Sequence, residues 1–145
     1  MTVNRAERAT ELFKNGWTCS QSIMAVYGED VGLDCETALN LGRGFSGGIS
    51  RLGRTCGVIS GAVMILSFKG RDAPDEARDR AEVYTAVNEF AKRFEERCGG
   101  FDCKDLLGVD ISTTEGYAEA REKKLFPTKC PQFVGAAAEI LEELL

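Results

Sequence analysis

Histidine is missing altogether from these 145 residues. That absence removes the commonest proton shuttle and the commonest nitrogen ligand of catalytic zinc. Basic charge is not in excess either: 18 lysines and arginines against 23 aspartates and glutamates leave a net charge of −5, the opposite of a nucleic-acid footprint. No apolar run reaches the roughly 20 residues that span a bilayer. The most apolar stretch, TCGVISGAVMILSF at 55–68, is short and glycine-rich. The opening residues MTVNRAERATELF are charged and helix-like without an apolar secretory core, so a cytoplasmic location is expected. Apolar and polar residues nowhere alternate in the manner of a half-buried strand.

What is present is helical periodicity. Ala6, Ala9, Leu12 and Phe13 recur at helix spacing until Gly16. A second helix should open at Thr18-Cys19-Ser20, and Asp34 can cap a third through Leu41. The stretch 55–68, apolar nearly all round, predicts a helix buried on most faces. The longest helix is expected from Pro74 to Arg97, with Ala77, Ala81, Tyr84, Val87, Ala91 and Phe94 as its inward stripe. Gly99-Gly100 ends it. A short CKDLLG segment, a helix at 114–124 and a last helix from Pro131 complete the chain, the last with Val134, Ala137, Ala138, Leu141 and Leu144 on one face. The expectation is an all-α single domain over 1–145: a bundle of five or more helices, with a glycine-rich loop before a buried central helix.

A domain of this size needs no disulfide staples, so the six cysteines call for another explanation. In a reducing compartment that explanation is metal binding or redox cycling. Thr18-Cys19, Thr55-Cys56, Asp102-Cys103 and Cys130-Pro131 all read as helix starts, with Cys130 as an N-cap. Unpaired N–H groups and the positive end of the helix dipole favour a thiolate there. Cys98 falls at a helix C-terminus, where a thiolate is disfavoured, and reads as a bystander. Cys35 also follows a capping aspartate, so it lies near the site or is a plain buried thiol. No pair has CxxC or zinc-finger spacing, so any shared site must be assembled by the fold.

The segment GRGFSGGISRLGRTCG, 42–57, runs directly into Cys56. Its GxGxxG match follows no strand and is not a dinucleotide fingerprint. It reads instead as a loop whose glycines admit close backbone approach, with Arg43, Arg51 and Arg54 adding positive charge, or equally as a tight interhelical turn with solvated arginines.

With CSQSIM at Cys19, CGVISGA at Cys56, CKDLLG at Cys103 and CPQFVGAAAEILEEL at Cys130, the chain resembles the redox-active protein family named for its spaced cysteines and CGAxxG-type motif. Val58 stands where the motif has alanine, and Cys35 and Cys98 are additional to the four. The resemblance implies four functional cysteines, a redox role and genes often neighbouring those of transporters. A related domain occurs in c-type cytochromes, but without CxxCH or histidine no haem is expected here. The leading expectation is an iron-sulfur cluster of the two-iron, two-sulfur kind on Cys19, Cys56, Cys103 and Cys130, serving electron transfer or sensing with an unidentified electron donor or acceptor. The alternatives are thiol-disulfide exchange, with Cys56 and Cys103 as the catalytic thiols, a zinc or copper module on the same four ligands, and a structural module. The small and apolar residues of 57–68 and 135–145 further suggest a homodimer.

Overall fold

The computed structural model describes residues 4–68 and 75–145. Among them the elements are helices: α1 (Arg5–Lys14), α2 (Cys19–Tyr27), α3 (Cys35–Gly42), the single turn α4 (Ser46–Ile49), α5 (Gly57–Leu66), α6 (Glu76–Cys98), α7 (Cys103–Leu107), α8 (Thr114–Glu122) and α9 (Leu125–Leu144). The one β feature in the described residues is an isolated antiparallel bridge between Thr55 and Asp102.

Local chemistry sets most helix starts. The Asn4 side chain accepts from the N–H groups of Ala6 and Glu7. Thr18 and Gln21 form a reciprocal capping box that opens α2 on Cys19, satisfying N–H groups the helix itself leaves unpaired. The Asp34 carboxylate accepts from Thr37 and opens α3. Asp75 caps α6 by accepting from Arg78, so the long helix begins at Glu76; the expected start, Pro74, lies outside the described residues.

Helix α2 is the centre of the bundle, packed on α1, α3, α5 and α9. Three polar residues, Ser20, Gln21 and Ser22, are buried in it, and each is satisfied. Ser20 donates to the Gly42 carbonyl at 2.6 Å, Gln21 to the Leu39 carbonyl at 3.1 Å and Ser22 to the Thr18 carbonyl at 2.7 Å. The first two bonds tie α2 to α3 at no desolvation penalty. At the other end Tyr27 Oη lies 3.0 Å from the Ala138 carbonyl and 2.9 Å from Glu142. Arg5 bridges Glu142 and Asp30.

Glycines let α5 and the end of α3 come close to α2. A Cβ on Gly61 would sit 3.2 Å from the Ile23 Cβ and Cγ2 atoms, and one on Gly42 would sit 3.0 Å from the Gln21 Cα. Ile23, Met24 and Tyr27 of α2 then share one core with Ile59, Ile65 and Leu66 of α5, Phe90 and Phe94 of α6, and Val134 and Leu141 of α9. A second, smaller core joins Cys103, Leu107, Ile111 and Ala120, backed by Tyr117, Leu125, Phe126 and Cys130.

The inward stripe of α6 differs from the expected one. Its buried residues are Ala86, Phe90 and Phe94, whereas Ala77, Ala81 and Tyr84 are exposed. Helix α9 packs antiparallel to α6, with Arg97 paired to Glu139 and Arg93 to Glu143. That register brings the end of α9 only as far as the middle of α6, and the first turns of α6 have no face of α9 to cover them.

Because Gly61 has no room for a side chain, Gly61→Val should destabilise the protein by about 1–3 kcal/mol, the usual cost of overpacking. The urea midpoint measures this. An unchanged midpoint would show that α2 and α5 can separate freely.

Candidate functional site

A cavity of about 360 Å³ opens where the two cores meet, and Cys19, Cys56, Cys103 and Cys130 all line it. Cys19 and Cys56 belong to the main core, Cys103 and Cys130 to the smaller one. Cys35 is exposed, and neither it nor Cys98 lines the cavity. Cys35 is therefore neither near the site nor a buried thiol, the two places foreseen for it.

Three of the four cysteines stand where local sequence puts them. Cys19 is the first residue of α2, Cys56 is the N-cap of α5, and Cys103 is the first residue of α7. Cys130 does not. It is inside α9, which begins at Leu125 and continues through Pro131. The proline in the first turn is Pro127, where a missing N–H costs nothing. Lys124, with φ +55°, turns the chain out of α8 into this start. Pro131 then deprives only the Pro127 carbonyl of a helical bond, and the helix tolerates it.

The 43–56 segment builds the wall that joins the two cores. Gly47, Gly48, Ile49, Ser50 and Arg51 all have positive φ, between 46° and 69°. Each non-glycine in this region costs on the order of 1 kcal/mol. The conformation is held by backbone bonds from Ser50 to Gly44 (3.0 Å), Gly53 to Gly47 (3.1 Å) and Arg54 to Gly48 (3.0 Å). Gly48 must be a glycine for a second reason, since a Cβ there would lie 2.5 Å from Arg54 N and 2.7 Å from the Cys103 Cβ. Beyond it Cys103 N–H donates to Arg54 O at 2.6 Å and Cys56 N–H to Phe101 O at 3.0 Å. This short antiparallel pairing sets Cys56 and Cys103 on neighbouring strands of backbone.

The sulfur of Cys19 occupies the most organised position. Backbone N–H groups of Gly47, Ser20, Cys19 and Gly57 lie near enough to it to favour its thiolate, so the starts of α2 and α5 and the left-handed turn meet around one atom. A Cβ on Gly57 would lie 2.5 Å from that sulfur. These donors favour a thiolate, yet burial outweighs them and the Cys19 thiol is pushed up from its ordinary value. Burial, followed by the charge of Cys19, raises Cys56 well above the usual range and moves Cys103 and Cys130 up to about 12. The expectation that helix starts would make these cysteines acidic is thus overturned. Desolvation in an apolar cavity wins over the helix dipole, and at Cys103 the N–H that could have helped is already given to Arg54.

In the absence of a cation the four are therefore thiols at neutral pH. Among the described residues no group of three or more Cys, Asp or Glu side chains is arranged to hold one metal ion. The four cysteines line one shared cavity, so any group they hold takes its ligands from both cores. Four soft sulfur donors with N–H groups already near one of them fit an iron-sulfur cluster as a donor set.

Sequence reasoning missed the aromatic side of the cavity. Phe13, Trp17, Tyr117, Phe126 and Phe133 line it, and Arg51 lies over the Tyr117 ring, 4.5 Å from its centre. They come from α1, α8, α9 and the turn after α1, and no local spacing marks them as neighbours. Arg51 alone stood in a segment already notable for its charge.

A family model described as "Putative redox-active protein (C_GCAxxG_C_C)" matches residues 17–144, and the chain belongs to that family. No curated protein and no solved structure matches it. Among the described residues no helix is long and apolar enough to cross a membrane.

The raised thiols set a pH dependence of stability for the metal-free protein. In the unfolded chain Cys103 and Cys130 ionise near 9, in the folded one near 12. Between those values the unfolded state loses its protons first, so the thiols' contribution to stability is constant below about pH 8 and falls as pH rises from 9 to 12. The double replacement Cys103→Ser, Cys130→Ser should flatten this decline in urea midpoints. Parallel curves for the two proteins would mean the thiols are not desolvated.

Proposed function

We propose that Cys19, Cys56, Cys103 and Cys130 together hold a two-iron, two-sulfur cluster, and that this member of the redox-active family is an electron-transfer or sensing module. The observation that supports the reading is the meeting of four cysteines from α2, α5, α7 and α9 around one cavity. Bound there, the cluster would supply one-electron chemistry, and the protein's part is to hold it, shield it and tune it.

The chain's own groups suit those tasks. N–H donors of Gly47, Ser20 and Gly57 at Cys19 would stabilise charge on its sulfur and raise the potential of whatever it ligates. Val58, Leu106, Leu107 and Ile111 keep water from the cavity wall. The thiols surrender their protons on coordination, so uptake of the group is coupled to proton release.

One rival reading fares worse on these facts. Metal-free thiol-disulfide exchange wants an accessible thiolate. Cys56 is only 6% exposed, and burial holds both Cys56 and Cys103 above the usual thiol range.

Anaerobic purification followed by a visible spectrum and iron, zinc and acid-labile sulfide analysis tests the proposal. The expected content is about two iron and about two sulfide per chain. Cys56→Ser and Cys130→Ser should lose both while remaining folded, and Cys35→Ser and Cys98→Ser should retain both. Stoichiometric zinc without sulfide, or iron surviving in Cys56→Ser and Cys130→Ser, would reject the cluster.

A further inference from the structure

The cavity has two unlike ends. Cys56 and Cys103 are 6% and 8% exposed, whereas Trp17 is 40% exposed and Arg51 lies at the surface. The thiols thus form the floor, and the mouth is framed by Trp17, Tyr117 and Arg51, with the half-buried rings of Phe13, Phe126 and Phe133 between. Four thiolates enclosing a metal group have no need of five aromatic rings at their entrance. A volume of about 360 Å³ with mostly apolar walls and few polar groups is that of a small-molecule site.

Among the described residues Arg51 is the one charged side chain that lines the cavity. It makes no ion pair there, and its guanidinium rests on Tyr117. The remaining hydrogen-bonding side chains of the wall are Trp17, Thr18, Ser46 and Tyr117, beside the weakly bonding thiols. A nucleotide or sugar would bury many polar atoms here without partners, at a cost of kilocalories each. A flat ring bearing one or two carbonyl oxygens would not. It could stack among the aromatic side chains while an oxygen accepts from Arg51.

We infer that the mouth of the cavity binds the ring of a quinone-class molecule, with a carbonyl oxygen on the Arg51 guanidinium. The choice of a quinone over a redox-silent ring rests on the redox reading above; the binding site itself does not.

Trp17 is the protein's only tryptophan, so its fluorescence reports on this mouth alone. The probe is duroquinone, whose ring carbons are fully substituted and resist addition of thiols, titrated anaerobically into the protein as isolated. Saturable quenching is expected, half complete on the order of 100 μM or below. Arg51→Met, its fold checked by circular dichroism, should weaken binding about tenfold through loss of one charge-assisted hydrogen bond. Quenching that stays linear to about 1 mM overturns the inference, as does equal saturation in Arg51→Met. Tighter binding of 1-naphthoate than of duroquinone would assign the mouth to aromatic anions and also overturn it. Iron and sulfide are assayed on the same samples. An intact cluster without saturable quenching rejects the quinone site alone, and saturable quenching in protein free of iron upholds the quinone site while rejecting the cluster.

Discussion

The close approach of α2 and α5 is the constraint on which the rest of the molecule depends. It requires Gly57 and Gly61, one turn apart on α5, to face Cys19, Ser20 and Ile23 of α2 without a Cβ between them. Once the helices touch, the start of α5 lies against the start of α2, and the Cys19 sulfur receives N–H groups from both. The same contact buries Ser20, whose hydroxyl must then find the Gly42 carbonyl, which draws the end of α3 and the following segment onto the site. Packing, polar satisfaction and the position of two cysteines are thus one solution and not three.

The left-handed run at 47–51 is the second half of that solution. Ile49, Ser50 and Arg51 occupy a conformation that L-residues avoid, and together they cost a few kcal/mol by the usual per-residue figure of about 1. What the turn achieves is connection. Its Gly47 N–H reaches Cys19, its Gly48 lies against Cys103, and Gly53 and Arg54 offer carbonyls to Lys104 and Cys103. Without it the main core and the smaller one would be joined chiefly by α7 and α9, and Cys19 would lose its link to the smaller core. Strain at a place where two cores and a cavity meet is compatible with a functional origin, because the surrounding bonds over-determine it.

Much of this was legible in sequence, for a reason that also explains the failures. Thr18 and Asp34 mark helix starts because capping is chemistry between residues two or three apart, so Cys19 and Cys35 could be placed at once; Asp102 precedes α7 without a side-chain cap bond, and Cys103 still opens that helix. Cys130 was misplaced because Pro131 resembles a first-turn proline as well as Pro127 does, and only the full helix distinguishes them. The α6 stripe failed at Ala77, Ala81 and Tyr84 because periodicity gives the phase of a face and not the length of the partner that covers it. The acidity of the thiols was misjudged for a related reason. A helix start is local, while the desolvation that overrides it comes from a cavity wall assembled from α1, α5, α7, α8, α9 and the loop after α7. The aromatic wall had no local signature at all.

Burial also decides how such a site can work. A thiolate surrounded by Val58, Leu106, Leu107 and Ile111 has lost its water, and four N–H groups at Cys19 do not replace it. Each further thiolate would feel the first, as the influence of Cys19 on Cys56, Cys103 and Cys130 shows. An uncompensated set of charges in this cavity is therefore unfavourable, and the resting form of the four residues is the neutral thiol. Only a cationic group bonded to them reverses the balance, since it offsets part of the thiolate charge at bonding distance, where low polarity strengthens the attraction. On the reading proposed here, the same desolvation that makes these cysteines poor nucleophiles makes them good ligands, and it is the depth of the cavity, more than the helix ends that border it, that selects coordination over exchange.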